Sequence, residues 1–363
     1  MMSVRSWVAW PGAPLAIGSA ALFGASTPLA KALLGGGVSP WLLAGLLYLG
    51  SGIGLAIVTL GRRAIGRPTS EAPLARRDWG WMALVILFGG VAGPLLLMIG
   101  LTTTPASSAA LLLNLEGLAT MAIAWAVFRE NVDRRLMLGA LTILAGAVIL
   151  SWQGGSGAGA GFSGLGLGAL AIAGACLAWG VDNNLTRKVS GSDPVQIAMV
   201  KGLAAGAVNL ILAVALGARL PELSLTLAAG VVGFLGYGVS LVLFVLALRF
   251  LGTARTGAYF STAPFIGALL ALLLFGEAVT IQLGVAAVLM GIGLWLHLVE
   301  RHDHEHLHEP LAHTHAHVHD EHHQHAHGPG EPRGEPHVHG HAHNRLVHGH
   351  PHYPDLHHRH GHG

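Results

Sequence analysis

The sequence predicts an all-α membrane protein: ten transmembrane helices in two inverted five-helix repeats, followed by a disordered polar tail. Three observations lead there. Charged residues are 10% of the 363, hydrophobic residues 52%, and the mean hydropathy is +0.58. That is too little charge to cover a soluble protein of this length. Apolar runs of about twenty residues, enough to cross a bilayer as one helix, recur along the chain. One stretch also occurs twice. The first copy runs from Thr104-Pro-Ala-Ser-Ser through Leu115-Glu116-Gly117 to Arg129-Glu130, the second from Thr253-Ala-Arg-Thr-Gly through Ala263-Pro264 to Gly276-Glu277. Each begins with small and hydroxyl residues, is perturbed at its middle by Gly117 or Pro264, turns apolar and stops at a Glu, which reads as one membrane helix used twice.

Taken in order, the expected helices are Ala13–Leu34, Trp41–Leu60, Trp81–Leu101, Pro105–Phe128 and Leu136–Trp152. The second set is Leu165–Leu185, Pro194–Leu216, Leu225–Phe250, Gly257–Phe275 and Val279–Leu298. This divides the chain into a first repeat at 11–153, a Gly/Ser-rich joint at 154–164, a second repeat at 165–299 and a polar tail at 300–363. A cleaved signal peptide at the first helix is the competing reading. It is rejected because Phe23-Gly24 to Lys31 aligns with Trp179-Gly180 to Arg187 in the second half, so the segment belongs to the repeat.

The N-terminus and linkers 2–3, 4–5, 6–7 and 8–9 hold the Arg and Lys of the links, whereas the opposite linkers hold Lys31 and Arg219 only. Cytoplasmic loops are enriched in such residues, so both termini are expected in the cytoplasm. Five is odd, so the second repeat must enter from the other side. Trp41, Trp79, Trp81, Trp152 and Trp295 sit near helix ends as interfacial anchors. Pro28, Pro94 and Pro264 are expected inside helices, where each removes a backbone hydrogen bond. Cys176 is the only cysteine, so no intrachain disulfide exists.

Polar residues in such helices are the candidate site. A carboxylate at Glu116 is expensive in lipid and must face protein or water, as a proton or cation site or as a packed, hydrogen-bonded group. Asn114 is about 200° away around the helix. One stripe therefore holds Ser107, Ala110, Asn114, Gly117 and Met121, and another Glu116 and Thr120. Lys201 either snorkels to the interface or pairs in a cavity with Glu116 or Asp182. Asn209 is expected to be a helix-to-helix hydrogen bond. Asp182-Asn183-Asn184 aligns with Ser26-Thr27-Pro28, and repeat symmetry sets the two segments facing each other. The cavity candidates are thus Glu116, Asn114, Thr120, Lys201, Asp182, Asn183, Ser26, Thr27 and Ser261. No nucleophile–base pair or phosphate loop appears, so an enzyme is not expected.

These motifs resemble the EamA domain of the drug/metabolite transporter superfamily. The pattern reads Thr104-Pro105-Ala106, Leu115-Glu116-Gly117, Arg129-Glu130, Leu138-Gly139 and Gly146 in the first half. In the second it reads Ala263-Pro264, Gly276-Glu277, Leu283-Gly284 and Gly291-Ile-Gly293. The resemblance covers nearly all of 13–298, with Gly117 where proline is usual. It implies transport, with export as the direction, of small organic molecules such as amino acids and other metabolites across the cytoplasmic (inner) membrane. Inverted repeats of this kind support alternating access. It implies no cofactor for transport and no universal catalytic residue, and fold membership does not settle the substrate. Expected partners are membrane lipid and the small-molecule substrate, with a second copy in a homodimer compatible and no nucleic acid.

The tail is set apart by histidine. Of 24 in the chain, all lie at or after His297. They alternate with other residues: His302, His304, His306 and His308; then His313, His315, His317 and His319; then His337, His339, His341 and His343; then His348, His350 and His352. Imidazole suits zinc, nickel, cobalt and copper, and with few apolar residues the tail is expected to be disordered without metal. A pH sensor is the rival, since free imidazole titrates near pH ~6.5. Two readings remain: a metabolite transporter with a metal-binding or pH-sensing tail, and a transition-metal transporter whose tail delivers substrate. A membrane-tethered metal store is a third.

Overall fold

The computed structural model describes residues 12–66, 73–128, 134–152, 166–186, 188–189 and 192–298, with tail segments 302–308, 311–317, 337–343 and 346–352. The Gly/Ser joint and Glu130 lie outside the described residues. The body is helical: α1 (Gly12–Gly35), α2 (Pro40–Ala64), α3 (Trp79–Val85), α4 (Gly93–Thr103), α5 (Ala106–Leu112), α6 (Leu115–Phe128), α7 (Arg134–Ser151), α8 (Leu167–Thr186), α9 (Pro194–Ala215), α10 (Leu223–Gly233), α11 (Ser240–Phe260), α12 (Ala263–Phe275) and α13 (Ile281–Leu298). Seven helical segments among the described residues are long and apolar enough to cross a membrane, and α12 and α13 are shorter apolar helices.

Local chemistry sets several boundaries. Ser39 accepts from the Leu42 N–H and Pro40 opens α2, where its missing donor costs nothing. The Asp193 carboxylate accepts from the N–H groups of Val195 (2.9 Å) and Gln196 (3.4 Å) at the start of α9. Gly276, at φ 59°, ends α12 in the left-handed region.

Four expectations change. The third helix is not regular: a π-helical segment, Ile86–Ala92, joins α3 to α4. The Gly93 N–H reaches Phe88 O, five residues back. The next donor would be Pro94, which has none, so the carbonyls behind it are left for side chains. The fourth helix is broken at Leu113–Asn114 rather than kinked at Gly117. Leu113 and Asn114 bond three residues back, to Ala110 O (3.2 Å) and Leu111 O (3.1 Å). Asn114 Nδ2 also donates to Leu111 O at 2.8 Å, a side-chain bond that competes with the helix.

In the second half no loop separates the eighth and ninth helices. A second π segment, Phe234–Val239, joins α10 to α11, which runs unbroken to Phe260. The break falls at Ser261–Thr262, so Pro264 lies in the first turn of α12, and Pro94 in the first turn of α4. Pro28 is interior to α1, and Pro94 is interior to the continuous helical span Arg76–Thr103. The tail, expected to be disordered, contains four strands: β1 (His302–His308), β2 (Leu311–His317), β3 (His337–His343) and β4 (Leu346–His352). Strict alternation has the period of a strand, and pairing the two ends of the tail satisfies backbone groups that a lone extended chain would leave to water.

The halves pack by exchange. α1 lies against α11 and α12, α2 against α9 and α10, α8 against α4 and α6, and α7 against α13. Glycine allows the closest approaches, as expected where lipid supplies no hydrophobic push between helices. A Cβ on Gly24 would sit 2.3 Å from Ala263 O, and one on the aligned Gly180 would sit 2.8 Å from Ala119 Cβ. Thus α1 meets the helix after the break in the second half, and α8 meets the helix after the break in the first. Ile57, Ile211 and Leu273 are exposed, as a lipid-facing surface requires. Trp79, Trp81, Trp152 and Trp295 are exposed near helix ends, whereas Trp41 packs against the core.

Candidate functional site

Two carboxylates from opposite halves, Glu116 and Asp182, lie on α6 and α8, which pack against each other. Asn183 Nδ2 donates to Glu116 Oε1 at 2.9 Å and to Thr120 Oγ1 at 3.2 Å. Thr120 Oγ1 in turn donates to Glu116 O at 2.9 Å, one turn back. Glu116 and Thr120 therefore share one face, and Asn183 bridges them. Among the described residues Glu116 has no ion-pair partner. The neighbouring Gly117 opens on space, with nothing within 4 Å of a Cβ placed there.

Asp182 faces elsewhere, because consecutive helical residues are about 100° apart. Its Oδ2 lies 2.5 Å from Lys201 Nζ on α9, and its Oδ1 accepts from Thr186 Oγ1 at 3.2 Å. The side chains of Lys201 and Asp182 are 12% and 7% exposed. Lys201 is therefore a buried lysine paired with Asp182, and it does not snorkel. Asn184, the third polar residue of the run, donates to Thr120 O (3.1 Å) and Gly180 O (2.8 Å).

The first π segment makes room for this pair. A Cβ on Gly89 would sit 2.1 Å from the Asp182 carboxyl, and one on Gly90 2.5 Å from Ala205 Cβ. The carbonyls that Pro94 leaves free are taken by side chains. Tyr48 OH donates to Gly89 O at 2.6 Å, Trp179 Nε1 to Gly89 O at 3.1 Å and Asn209 Nδ2 to Gly90 O at 2.9 Å. In the second π segment a Cβ on Gly236 would sit 2.6 Å from Ser26 Cβ. Gly89 against Asp182 and Gly236 against Ser26 are thus matching contacts, as Asp182 and Ser26 are aligned residues. Phe23, Trp179, Tyr48 and Tyr237 join the two in an aromatic cluster. The Phe23–Trp179, Phe23–Tyr237 and Tyr48–Tyr237 centroids are 6.5, 6.1 and 5.3 Å apart.

The other candidates scatter. Ser26 donates to Phe23 O at 2.6 Å, and Thr27 is buried beside Pro28. Asn114 points toward α13, with Nδ2 3.8 Å from Met290 Sδ, away from Glu116. Ser261 lies in the turn before α12.

A further cluster closes the end of the bundle opposite the Arg-rich linkers. Lys31 Nζ donates to the last carbonyls of α4, to Leu101 O and, at 3.1 Å, to Thr104 O. The Glu277 carboxylate accepts from the N–H groups of Ala106 (2.8 Å) and Ser107 (3.0 Å) at the start of α5, and from Ser107 Oγ. A cation on a helix C-terminus and an anion on the next N-terminus both follow the helix dipole. Sequence reasoning treated Lys31 as a loop charge and Glu277 as a motif letter. The aligned glutamate pair Glu130/Glu277 was the signal available. It also missed Gly89, Tyr48 and Tyr237, for which Gly-Gly four residues before Pro94 was the only hint.

Among the described residues no group of three or more His, Cys, Asp and Glu side chains is assembled for a metal. In the tail, the candidates His302, His304, His306 and His308 lie on β1, His313, His315 and His317 on β2, and His337, His339, His341 and His343 on β3. His319 lies outside the described residues.

A multipass helical bundle whose halves exchange contacts around internal carboxylates is the architecture of a membrane transporter. The chain belongs to the EamA-like transporter family, of the drug/metabolite transporter superfamily, which it matches over residues 10–152 and 166–299. It is 32% identical over 230 residues to an "Uncharacterized transporter" of Methanothermobacter thermautotrophicus. That match covers 62% of this chain and 66% of that protein, just under two thirds. It is 36% identical over 112 residues to a probable 4-amino-4-deoxy-L-arabinose-phosphoundecaprenol flippase subunit, ArnE, of Pseudomonas paraeruginosa, covering 31% of this chain and 95% of that one. A solved crystal structure matches with a TM-score of 0.57 at 22% identity, over 78% of this chain and 94% of that one. At that identity the likeness concerns the fold alone.

Proposed function

We propose that the chain is a secondary transporter that exports a small amine-bearing metabolite across the cytoplasmic membrane by alternating access. Ten membrane segments form two inverted five-helix repeats, and both termini lie in the cytoplasm. The observation that carries this reading is the unequal treatment of the two carboxylates. Asp182 is paired with Lys201, whereas Glu116 meets the Asn183 amide and, among the described residues, has no ion-pair partner. A carboxylate in that setting lacks a counter-charge, which a proton or a substrate ammonium supplies in turn. Exchange of one for the other at Glu116 couples substrate movement to protons. The named cargo of the ArnE relative bears an amino group, which suits the same chemistry. The His-rich tail binds transition metal and regulates; as cargo, metal would need N or S ligands along the path, and Cys176 hydrogen-bonds to Leu112 O instead.

The test is counterflow in proteoliposomes against a panel of amino acids and small amines, with zinc, nickel and cobalt as a parallel panel. The full chain is expected to exchange at least one amine, and Glu116→Gln, checked for native elution, to abolish proton-coupled movement. Unaltered coupled transport in Glu116→Gln would overturn the proposal. Metal movement that survives removal of the tail would favour the metal-transporter reading.

A further inference from the structure

The Asn183 amide has one end engaged and one end free. Its Nδ2 carries two hydrogens, and it donates to two acceptors, Glu116 Oε1 at 2.9 Å and Thr120 Oγ1 at 3.2 Å. These partners fix which way the amide points. An ionised carboxylate only accepts, and the Thr120 hydroxyl has given its own hydrogen to Glu116 O at 2.9 Å. Both oxygens therefore face an NH2 and not a carbonyl. Oδ1 is left on the other corner of the same planar group. Among the described residues neither Asn183 Oδ1 nor Glu116 Oε2 accepts a hydrogen bond. The surroundings are open: Asn183 is exposed, Glu116 half-buried, and a Cβ on Gly117 would meet nothing within 4 Å. The next residue shows the contrast. Asn184 is buried and spends its Nδ2 on Thr120 O and Gly180 O, which fastens α8 to α6. Asn183 sits at the edge of that contact, beside the carboxylate.

We propose that Glu116 and Asn183 form a two-acceptor site for an ammonium with at least two N–H groups, one bonded to the carboxylate and one to Asn183 Oδ1, so that Asn183 determines which amines are taken. The inference rests on the reading of Glu116 as an ammonium-exchange site and adds the class of amine. A carboxylate by itself attracts any cation, because Coulomb attraction does not ask for a donor. A carbonyl beside it does ask. A quaternary ammonium brings the same charge but no N–H, so it leaves Oδ1 unpaired and sets methyl groups against it. A primary ammonium has three donors and serves both acceptors with charge-assisted bonds. Lys201 does not fill the place, since Asp182 holds its Nζ at 2.5 Å.

The experiment measures equilibrium binding to the full chain in detergent by isothermal titration, with phenethylamine and its N,N,N-trimethyl analogue as probes. The primary amine is expected to bind about 10- to 100-fold more tightly, the contribution of one hydrogen bond between charged and neutral partners. Asn183→Ala should bring the ratio of the two affinities close to one while the trimethyl compound still binds. Asn183→Gln, which keeps both ends of the amide, should retain the preference. Because the ratio is internal to each variant, a general loss of stability does not move it. An unchanged ratio in Asn183→Ala, or the loss of both compounds in that variant, would overturn the role of Asn183. If Glu116→Gln meanwhile loses both, the ammonium reading of Glu116 stands without it. Undiminished binding of both compounds in Glu116→Gln, or no binding of either by the full chain, would overturn that reading and this inference with it.

Discussion

Glu277 is expected to hold one end of the transporter shut. Its carboxylate accepts two backbone N–H bonds and one hydroxyl bond at the start of α5, and it reaches there from the end of α12, in the other half of the chain. Truncation in Glu277→Ala leaves those donors to water or to nothing. Loss of a helix N-cap costs about 0.5–2 kcal/mol, and bonds to a charged acceptor contribute about 1.5–3 kcal/mol before solvent compensation. Because Glu277 is partly exposed, the net loss is set at about 2 kcal/mol, which lowers the closed-to-open ratio about 30-fold. The assay is labelling of Ala110→Cys by a membrane-impermeant maleimide, in a Cys176→Ala background. Ala110 is 1% exposed and packs toward Gly267, so labelling reports opening between α5 and α12. The rate should rise about 30-fold in Glu277→Ala and less in Glu277→Gln, which can still accept one bond. An unchanged rate in both variants, with the protein native by elution and thermal unfolding, would refute the assignment of Glu277 as a closure.

Other outcomes follow from the same geometry. Lys201→Met should destabilise by about 3–5 kcal/mol by leaving Asp182 buried and unpaired, and the double variant with Asp182→Leu should recover much of that in thermal unfolding. Gly89→Ala drives a methyl into the Asp182 carboxyl and should lower the melting temperature, whereas Gly117→Ala meets open space and should be neutral or gain about 0.5–1 kcal/mol. Asn209→Leu strands the Gly90 carbonyl that Pro94 cannot serve, at a cost of about 1–3 kcal/mol in unfolding experiments. If two or more imidazoles with the free-imidazole value of ~6.5 hold it, tail-bound zinc should weaken about 100-fold between about pH 7.5 and pH 5.5; isothermal titration at the two pH values checks it.

The sequence carried the architecture because lipid forces long apolar helices, and duplication leaves matched letters such as Glu130 and Glu277. It also marked Glu116, Asp182 and Lys201 as candidates, since charged groups are costly in a membrane. It could not carry partners. That Lys201 meets Asp182 while Asn183 meets Glu116 depends on how α6, α8 and α9 are rotated, and no local pattern encodes rotation. The π segments were hidden for a related reason. Gly89-Gly90 ahead of Pro94 signals a weak helix, but the carbonyls are rescued by Tyr48, Trp179 and Asn209 from three other helices. The place of the break in the fourth helix was hidden too: it lies at Asn114, whose side chain bonds to Leu111 O, and not at Gly117, the residue that stands where proline is usual. In the tail, polarity argues for disorder without metal, whereas period-two alternation is that of a strand.

The reciprocal packing of α1 on α12 and of α8 on α6 makes the two halves behave as subunits that happen to share a chain. Each half buries its closest glycine contact in the other, so neither offers a finished surface alone. Such a molecule resists separation more through its interface than through its covalent joint. Two half-length polypeptides made in the same cell would find each other as the partners of an obligate dimer do, and a lone half would be a substrate for proteolysis.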